Sequence, residues 1–318
     1  MSQINTACVE RCIICGSQSR SIIGKSLDFE YETCENEFEF CECEDCGHVF
    51  LYNRPLPKEL NVIYPDDYIP HKFDEHLGPF ISKIRKSVQA KKIAPLAKHL
   101  SSNAIVVDIG PGNGEFLGLL RQHGHPTWDL WGIDFSEAAI RALEARGFKG
   151  VCSRFETVQW TGSPPNAIVM NQLIEHLEDP AAAMQKAFSL LAPGGVLFIE
   201  TPSTDAWDFR LFRKRYWGGW HTPRHWHLFR AETLSRLAQQ VGFETVEVSH
   251  ILSPNFWLQS VHHMIAERWR SPRLAKLFDV NVLFSLAGAT LLDLVQLTLR
   301  NKTSNFRLVV RKPATVST

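Results

Sequence analysis

From residue 103 to the C-terminus, short apolar runs alternate with stretches whose apolar positions recur at helical spacing. The short runs read as buried strands and the stretches between them as amphipathic helices, the pattern of a parallel sheet flanked by helices. Seven strands are predicted, at 104–109, 129–135, 150–155, 166–171, 196–201, 245–250 and 306–311. Two intervals break the alternation: 203–230, dense in tryptophan and arginine, and 252–304, helical in pattern and containing the uncharged run 280–292. The N-terminal part follows another period. Phe29-Glu30-Tyr31-Glu32 and Glu37-Phe38-Glu39-Phe40 alternate residue by residue, which predicts a two-stranded ribbon with one apolar face. Aromatics and turn residues from Phe50 through Tyr64 and Pro65 to Tyr68 predict a strap against the next domain, and a helix with outward lysines is expected over 80–100.

Cysteine placement sharpens the picture of the ribbon. Seven of the eight cysteines fall in the first 46 residues, and Cys12/Cys15 and Cys43/Cys46 form two Cys-x-x-Cys pairs, each followed by a glycine. Gly16 and Gly47 supply the tight turns that let both thiolates of a pair face one ion. Four thiolates then make a closed tetrahedral zinc site, the zinc-ribbon pattern. The 27 residues between the pairs exceed the usual spacing of about 15–20, so Cys34, Cys41 and His48 are alternative ligands. A disulfide framework is disfavoured in a reducing compartment, and a redox pair would need only one Cys-x-x-Cys.

The strand at 104–109 ends in Asp108-Ile109-Gly110-Pro111-Gly112-Asn113-Gly114 and runs into a helix. Glycines there let the backbone turn and approach a ligand, and the helix start offers free N–H groups. Asp134, at the end of the next strand, is placed to take both hydroxyls of a ribose. A nucleoside-containing ligand is implied. The Gly-x-Gly-x-Gly spacing differs from the dinucleotide fingerprint, Asp108 is placed to hold a ligand's ammonium group, and no Gly-Lys-Ser/Thr follows to make a P-loop.

Over residues 104 to 311 the chain resembles the class I S-adenosylmethionine-dependent methyltransferases. Further segments carry the likeness: Asn171-Gln172-Leu173-Ile174-Glu175-His176-Leu177-Glu178-Asp179-Pro180, Leu190-Leu191-Ala192-Pro193-Gly194-Gly195, Glu200-Thr201-Pro202 and Gly242-Phe243. The segment Pro223-x-His225-x-x-x-Phe229 is similar to one in a subgroup often found with a Cys-x-x-Cys head and associated with glycan or small-molecule modification. The resemblance implies an α/β, doubly wound seven-stranded sheet with its last strand antiparallel, behind a small zinc-ribbon-like module. The domain expectation is 1–55 for that module, 56–100 for a linker and leading helix, and 101–318 for the methyltransferase domain, with insertions at 203–230 and 252–304. It also implies that Asp108, Gly110, Gly112 and Gly114 hold the methionine part of S-adenosylmethionine and Asp134 the ribose. Phe135, Phe155 and Glu156 would flank adenine, and Asn171 and Leu173 would line the floor near the sulfonium. Plain core packing is the competing account of Phe135 and Phe155.

Methyl transfer is a displacement at an activated sulfonium, so the protein mainly aligns the acceptor and excludes water. A base helps when the acceptor is a hydroxyl or an enolisable carbon, and His176 and His225 are the candidates. In the 203–230 insertion, Arg213, Arg215, Tyr216, Trp217, Trp220, His221 and His227, with a Gly218-Gly219 hinge, read as a substrate loop closing over an anionic acceptor. The expected acceptor is a small molecule, a sugar, nucleotide sugar or glycan. Ribosomal-RNA-type methylation is the enzymatic alternative, and a non-catalytic cofactor-binding scaffold is the alternative from another class.

Charge weighs against nucleic acid. The chain carries 34 basic and 34 acidic residues, but residues 1–50 hold ten acids against three bases, and such a ribbon repels phosphate. No signal peptide is read at the N-terminus, which with the thiol-rich head predicts a cytoplasmic protein. The 280–292 run is short of the ~20 residues that span a bilayer. It permits packing against a partner subunit in a homodimer, or, with Lys83, Arg85, Lys86, Lys91 and Lys92, peripheral contact with an anionic membrane.

Overall fold

The structure is a computed structural model that describes residues 3–64 and 91–314. The strap beyond Tyr64 and the basic run Lys83-Ile84-Arg85-Lys86 lie outside the described residues. Of the leading helix, residues 91–97 are described and helical. The strands in chain order are β1 (Thr6–Cys8), β2 (Arg20–Ser26), β3 (Phe38–Cys43), β4 (Val49–Leu51), β5 (Asn53–Pro55), β6 (Ile105–Ile109), β7 (Asp129–Asp134), β8 (Lys149–Cys152), β9 (Ala167–Asn171), β10 (Val196–Pro202), β11 (His227–Leu228), β12 (Glu244–Ile251) and β13 (Asn305–Arg311).

The large sheet has the order β12-β13-β10-β9-β6-β7-β8. Neighbouring strands from β10 to β8 pair in parallel, and β13 runs antiparallel to both β10 and β12. Central strands are continuous apolar runs because helices cover both faces: every residue of β10 is buried, as is all but the last of β9. Alternate residues sort into two cores. Val106, Val169, Phe198 and Val309 pack with Phe116, Leu117 and Leu120 of the helix Glu115–His123. Val107, Ile168, Leu197 and Leu308 pack with the helices Pro180–Leu190 and Ala231–Val241. Chain order proceeds outward from β6 in one direction and then from β9 in the other, so the carboxyl ends of β6 and β9 flank the topological switch point, where open α/β sheets bind ligands.

The N-terminal module is less separate than the sequence suggests. Its four-stranded sheet has the order β11-β4-β3-β2, and β11 comes from the insertion after β10, with His227 opposite Phe50 and Leu228 opposite Val49. Cys12, Ile14, Cys41, Cys43 and Phe50 belong to the same buried cluster as Val107, Ile109 and Phe229. On the other side, Phe38, Phe40 and Leu51 share a core with Trp217, Trp220, Trp226 and Trp257. Phe40 stacks on Trp220 with ring centroids 3.9 Å apart.

The 252–304 insertion forms two main helices, Pro254–Arg268 and Leu283–Arg300. Asp293 joins them, accepting from Ser253 N–H (2.5 Å) and Trp257 Nε1–H (3.0 Å). The second helix continues well past the uncharged run and is long and apolar enough to cross a membrane by length and composition, with about a fifth of it (22%) buried. Leu283, Phe284, Leu291 and Leu299 are exposed on it.

Candidate cofactor and acceptor site

The loop after β6 is built on glycines with positive φ: +65° at Gly110, +54° at Gly112 and +72° at Gly114. A Cβ on Gly110 would stand 2.9 Å from Leu173 Cδ1, so the loop closes against the residue that follows β9. Nothing lies within 4 Å of the corresponding position on Gly112, which leaves that backbone open to a ligand. Gly114 caps the helix Glu115–His123 in the left-handed region.

Two carboxylates face each other across this loop. Asp108 is buried, and burial together with the nearby Asp134 pushes its carboxyl well above the ordinary range. Burial also raises Asp134, against N–H groups that hold its charge, among them Ser136 N–H at 2.8 Å. A cation or a pair of hydroxyls arriving here would relieve both groups. Beyond them, Phe135 is 74% exposed, an apolar ring left open beside the loop. Phe155 is buried in the sheet core, so its ring serves packing in this structure, and Glu156 lies 3.7 Å from Arg154. Asn171 Oδ1 is buried with no hydrogen-bond partner, an orphaned acceptor at the end of β9.

Next along the chain, a single 3₁₀ turn, Ile174–His176, presents Glu175 and His176. Glu175 is fully buried; Oε2 accepts from Thr201 Oγ1 at 2.8 Å, while Oε1 has no hydrogen-bond partner. Burial pushes this carboxyl up to about 8. His176 Nδ1 lies 3.1 Å from Arg224 O and 3.1 Å from Tyr64 Oη. Burial and the neighbouring His221 push it down to about 3, so the ring is neutral at physiological pH. His225 follows the cis Thr222–Pro223 peptide; its Nδ1 lies 2.9 Å from Gly219 O and its Nε2 3.9 Å from Glu175 Oε1. The rings of His176 and His225 meet edge to face at 4.7 Å.

The 203–230 insertion differs from the hinged loop its composition suggests. Trp217 and Trp220 are buried, with Trp217 Nε1–H donating to Asp208 at 2.7 Å. Gly218 and Gly219 are close-packing positions, since a Cβ would meet Gln259 Cβ at 2.6 Å and the Trp217 ring at 2.4 Å, respectively. Arg215 grips Glu267 at 2.5 Å and Glu37 at 2.8 Å, Arg213 lies 4.0 Å from Glu42, and Tyr216 packs against the second core. His221 Nδ1 lies 2.8 Å from Glu30. Arg54 donates to His227 Nε2 at 3.1 Å, so His227 donates through Nδ1 to His48 Nε2 at 2.9 Å. The acidic ribbon thus neutralises the basic insertion, and the charge segregation along the sequence is the trace of that contact.

In the ribbon, Cys12 and Cys46 Sγ are 3.5 Å apart, as are Cys15 and Cys43 Sγ. All four ligand atoms lie within 4.8 Å of one another. Gly16 and Gly47, at φ +75° and +71°, close the two turns. The alternative ligands are used elsewhere: Cys34 packs with Phe38 and Phe40, Cys41 faces the shared core, and His48 pairs with His227. Burial raises the Cys12 thiol to about 11.

Four residues at the site escaped the sequence reading. Glu175 stood inside a quoted motif beside His176, and its adjacency was the available signal. Tyr64 gave only an aromatic in the strap. The Asp28–Arg224 pair, fully buried and bidentate at 3.1 Å for both contacts, links residues 196 positions apart and left no local pattern.

The carboxyl-edge site on a doubly wound sheet defines the class, and the comparisons give the family. Residues 81–248 match the family described as "Methyltransferase domain", and the chain belongs to it. Trans-aconitate 2-methyltransferase of Methylobacterium radiotolerans is 25% identical over 53% of this chain and 65% of its own length. Ubiquinone biosynthesis O-methyltransferase of Xylella fastidiosa is 32% identical over 31% of this chain and 42% of its own. A tRNA (carboxymethyluridine(34)-5-O)-methyltransferase of Macaca fascicularis is 30% identical over 42% of this chain and 19% of its own. The chain therefore spans less than two thirds of each of these relatives. Among solved structures, the [4+2]-cyclase SpnF aligns with 81% of this chain and 92% of its own at 16% identity and a TM-score of 0.48.

Proposed function

We propose that the protein is an S-adenosylmethionine-dependent methyltransferase acting on a small-molecule acceptor. The observation that carries this reading is the pair of carboxylates, buried Asp108 and half-buried Asp134, across a glycine loop whose Gly112 backbone is open. An ammonium group beside Asp108 and ribose hydroxyls on Asp134 would satisfy both charges. Asn171 Oδ1 offers a further acceptor, and exposed Phe135 a face for adenine. S-adenosylmethionine, when bound, supplies a methyl group on an activated sulfonium. The protein's own residues then have to orient an acceptor and keep water out.

Glu175, His176 and His225 line the edge where that acceptor would sit. His176 is held neutral, and with its affinity for protons so reduced it suits orienting an acceptor better than storing its proton. Nothing in these side chains selects a sugar, so the acceptor is proposed only as a small molecule reacting at oxygen or carbon. RNA is disfavoured because Arg213, Arg215 and Arg230 are committed to Glu42, Glu37 and Glu267 rather than forming an open basic track. The anionic acceptor expected from those arginines loses its support for the same reason.

The four ribbon cysteines are proposed to hold a structural zinc. Sulfur separations of 3.5 Å approach the ~3.7 Å that tetrahedral bonds of about 2.3 Å require. We propose a reducing cytoplasm as the protein's compartment, where thiolates of this kind persist.

Calorimetric titration with S-adenosylmethionine and S-adenosylhomocysteine tests the cofactor site. Micromolar binding is expected, with a loss of at least tenfold in Asp134→Ala. Assays for S-adenosylhomocysteine release over small-molecule acceptors and tRNA then separate the acceptor classes. No cofactor binding by folded, zinc-loaded protein would sink the reading, and tRNA-dependent release would replace its acceptor.

A further inference from the structure

We infer that Glu175, His176 and His225 form a second metal site, for a first-row divalent cation, separate from the ribbon cysteines. One ligand atom from each of the three lies within 4.8 Å of the others. Two histidines and one carboxylate are a donor set that divalent zinc, iron or manganese takes with coordination positions left open.

The surroundings prepare each donor in a specific way. A backbone carbonyl can only accept, so Arg224 O at 3.1 Å fixes the His176 proton on Nδ1, and Gly219 O at 2.9 Å does the same for His225. A ring whose single proton is held on Nδ1 carries its lone pair on Nε2. Metal-binding histidines are oriented in this manner, by donating the opposite ring N–H to a carbonyl or carboxylate. Glu175 is anchored through Oε2 by Thr201, and its other oxygen is fully buried without a hydrogen-bond partner. Leaving such an oxygen unsatisfied is costly in a folded protein, and it lies 3.9 Å from His225 Nε2. That distance is too long for a hydrogen bond. It is within roughly 1 Å of the ~3.0–3.4 Å between ligands that each bind an ion at about 2.1 Å.

The three donors come from two elements that meet only in the fold. Glu175 and His176 follow β9, at the switch point, and His225 belongs to the insertion after β10, next to Arg224, which pairs with Asp28 of the ribbon. The position gives the ion a role that rests on the methyltransferase reading. At the acceptor edge, an open coordination position would take an acceptor oxygen and polarise it.

The test is a Mn2+ titration of the full-length protein carrying one zinc per chain in its ribbon, followed by calorimetry and by the electron paramagnetic resonance signal of free Mn2+. One further equivalent of Mn2+ is expected to bind. Affinity should fall at least tenfold in Glu175→Gln, which keeps the size of the side chain, and in His176→Asn, which is smaller but keeps a donor near the position of Nδ1. S-adenosylmethionine affinity should stay within about twofold in both, which also shows that they fold. Absence of a Mn2+ equivalent in the wild type overturns the site, and so does equal Mn2+ binding by the two variants. If Mn2+ binds as expected while wild-type protein fails to bind S-adenosylmethionine, the metal site stands and the methyltransferase reading falls.

Discussion

Asp208 is a buried carboxylate within the 203–230 insertion, and its surroundings make stability pH-dependent. Burial pushes it up to about 6, against the two hydrogen bonds it accepts from Trp217 Nε1–H and Ser304 Oγ–H. A carboxyl raised in the folded state contributes stability that is complete below its unfolded value near 3.8 and lost as pH climbs through about 6. A shift of this size corresponds to roughly 3 kcal/mol. Asp208→Asn should remove the dependence, because the amide oxygen still accepts from Trp217 and the Ser304 hydroxyl can turn to accept from the amide. Guanidinium unfolding of both proteins between pH 4 and 7 should show the variant gaining on the parent as pH rises, and parallel curves would refute the assignment. Arg224 tests the opposite case. Arg224→Met leaves Asp28 buried and uncompensated, for an expected loss of about 3–5 kcal/mol, and the Asp28→Asn/Arg224→Met double variant should recover much of it. Legibility at this scale depended on local pattern. Asp108, Asp134 and the glycines were readable because a loop–helix junction writes its requirements into adjacent residues. Glu175 and Asp28 take their roles from partners distant in sequence.

At the scale of elements, the central strands β9 and β10 were legible almost to the residue, because a strand buried on both faces must be a continuous apolar run, whereas partly exposed β8 ends at Cys152, three residues short of the expected Phe155. The cysteine turns were legible for a similar reason, each needing a thiol spacing and a left-handed glycine. The 203–230 insertion was misjudged in kind. Tryptophans, arginines and paired glycines have the composition of a mobile binding loop, but the same composition serves a segment wedged between two layers. Its arginines meet the ribbon's acids, and its tryptophans fill the space behind Phe40. Gly24 on β2 reports how tight this wedge is. A Cβ there would fall 1.9 Å from Arg213 O, a backbone atom with no room to yield, and 3.1 Å from the Trp220 ring. Gly24→Ala should therefore force β2 and the insertion apart and destabilise the protein by about 1–3 kcal/mol. Thermal unfolding gives the readout, with Gly194→Ala as a contrast where nothing lies within 4 Å and only the positive φ is strained. A neutral Gly24→Ala would mean that this contact is looser than the structure shows.

At the scale of the whole molecule, the question is whether the ribbon is an appendage or part of the methyltransferase core. A boundary near residue 55 looks natural in sequence, where cysteines and acids stop and the α/β pattern has yet to begin. Packing argues the other way, since the ribbon's sheet is completed by β11 and its Cys12, Ile14, Cys41, Cys43 and Phe50 lie in the same core as Val107 and Ile109 of β6. Removing residues 1–55 would strip the cover from Trp220, Trp226 and Phe229, and leave Arg224 without Asp28. Burying a large side chain contributes about 1.5–3 kcal/mol each, so losing several at once exceeds the margin of about 5–15 kcal/mol by which domains are stable. The fragment 56–318 is therefore expected to lack a cooperative thermal transition and to bind no S-adenosylmethionine, although the glycine loop and Asp134 remain in it. Removal of the proposed zinc should act in the same direction more gently. Chelation by a strong zinc ligand should lower the melting temperature of the whole protein in one transition, with the cofactor-binding region melting together with the ribbon. A fragment that melts cooperatively and binds the cofactor would make the ribbon a detachable domain. Two separate transitions after chelation would do the same, and the shared core would then be a contact surface between independent units.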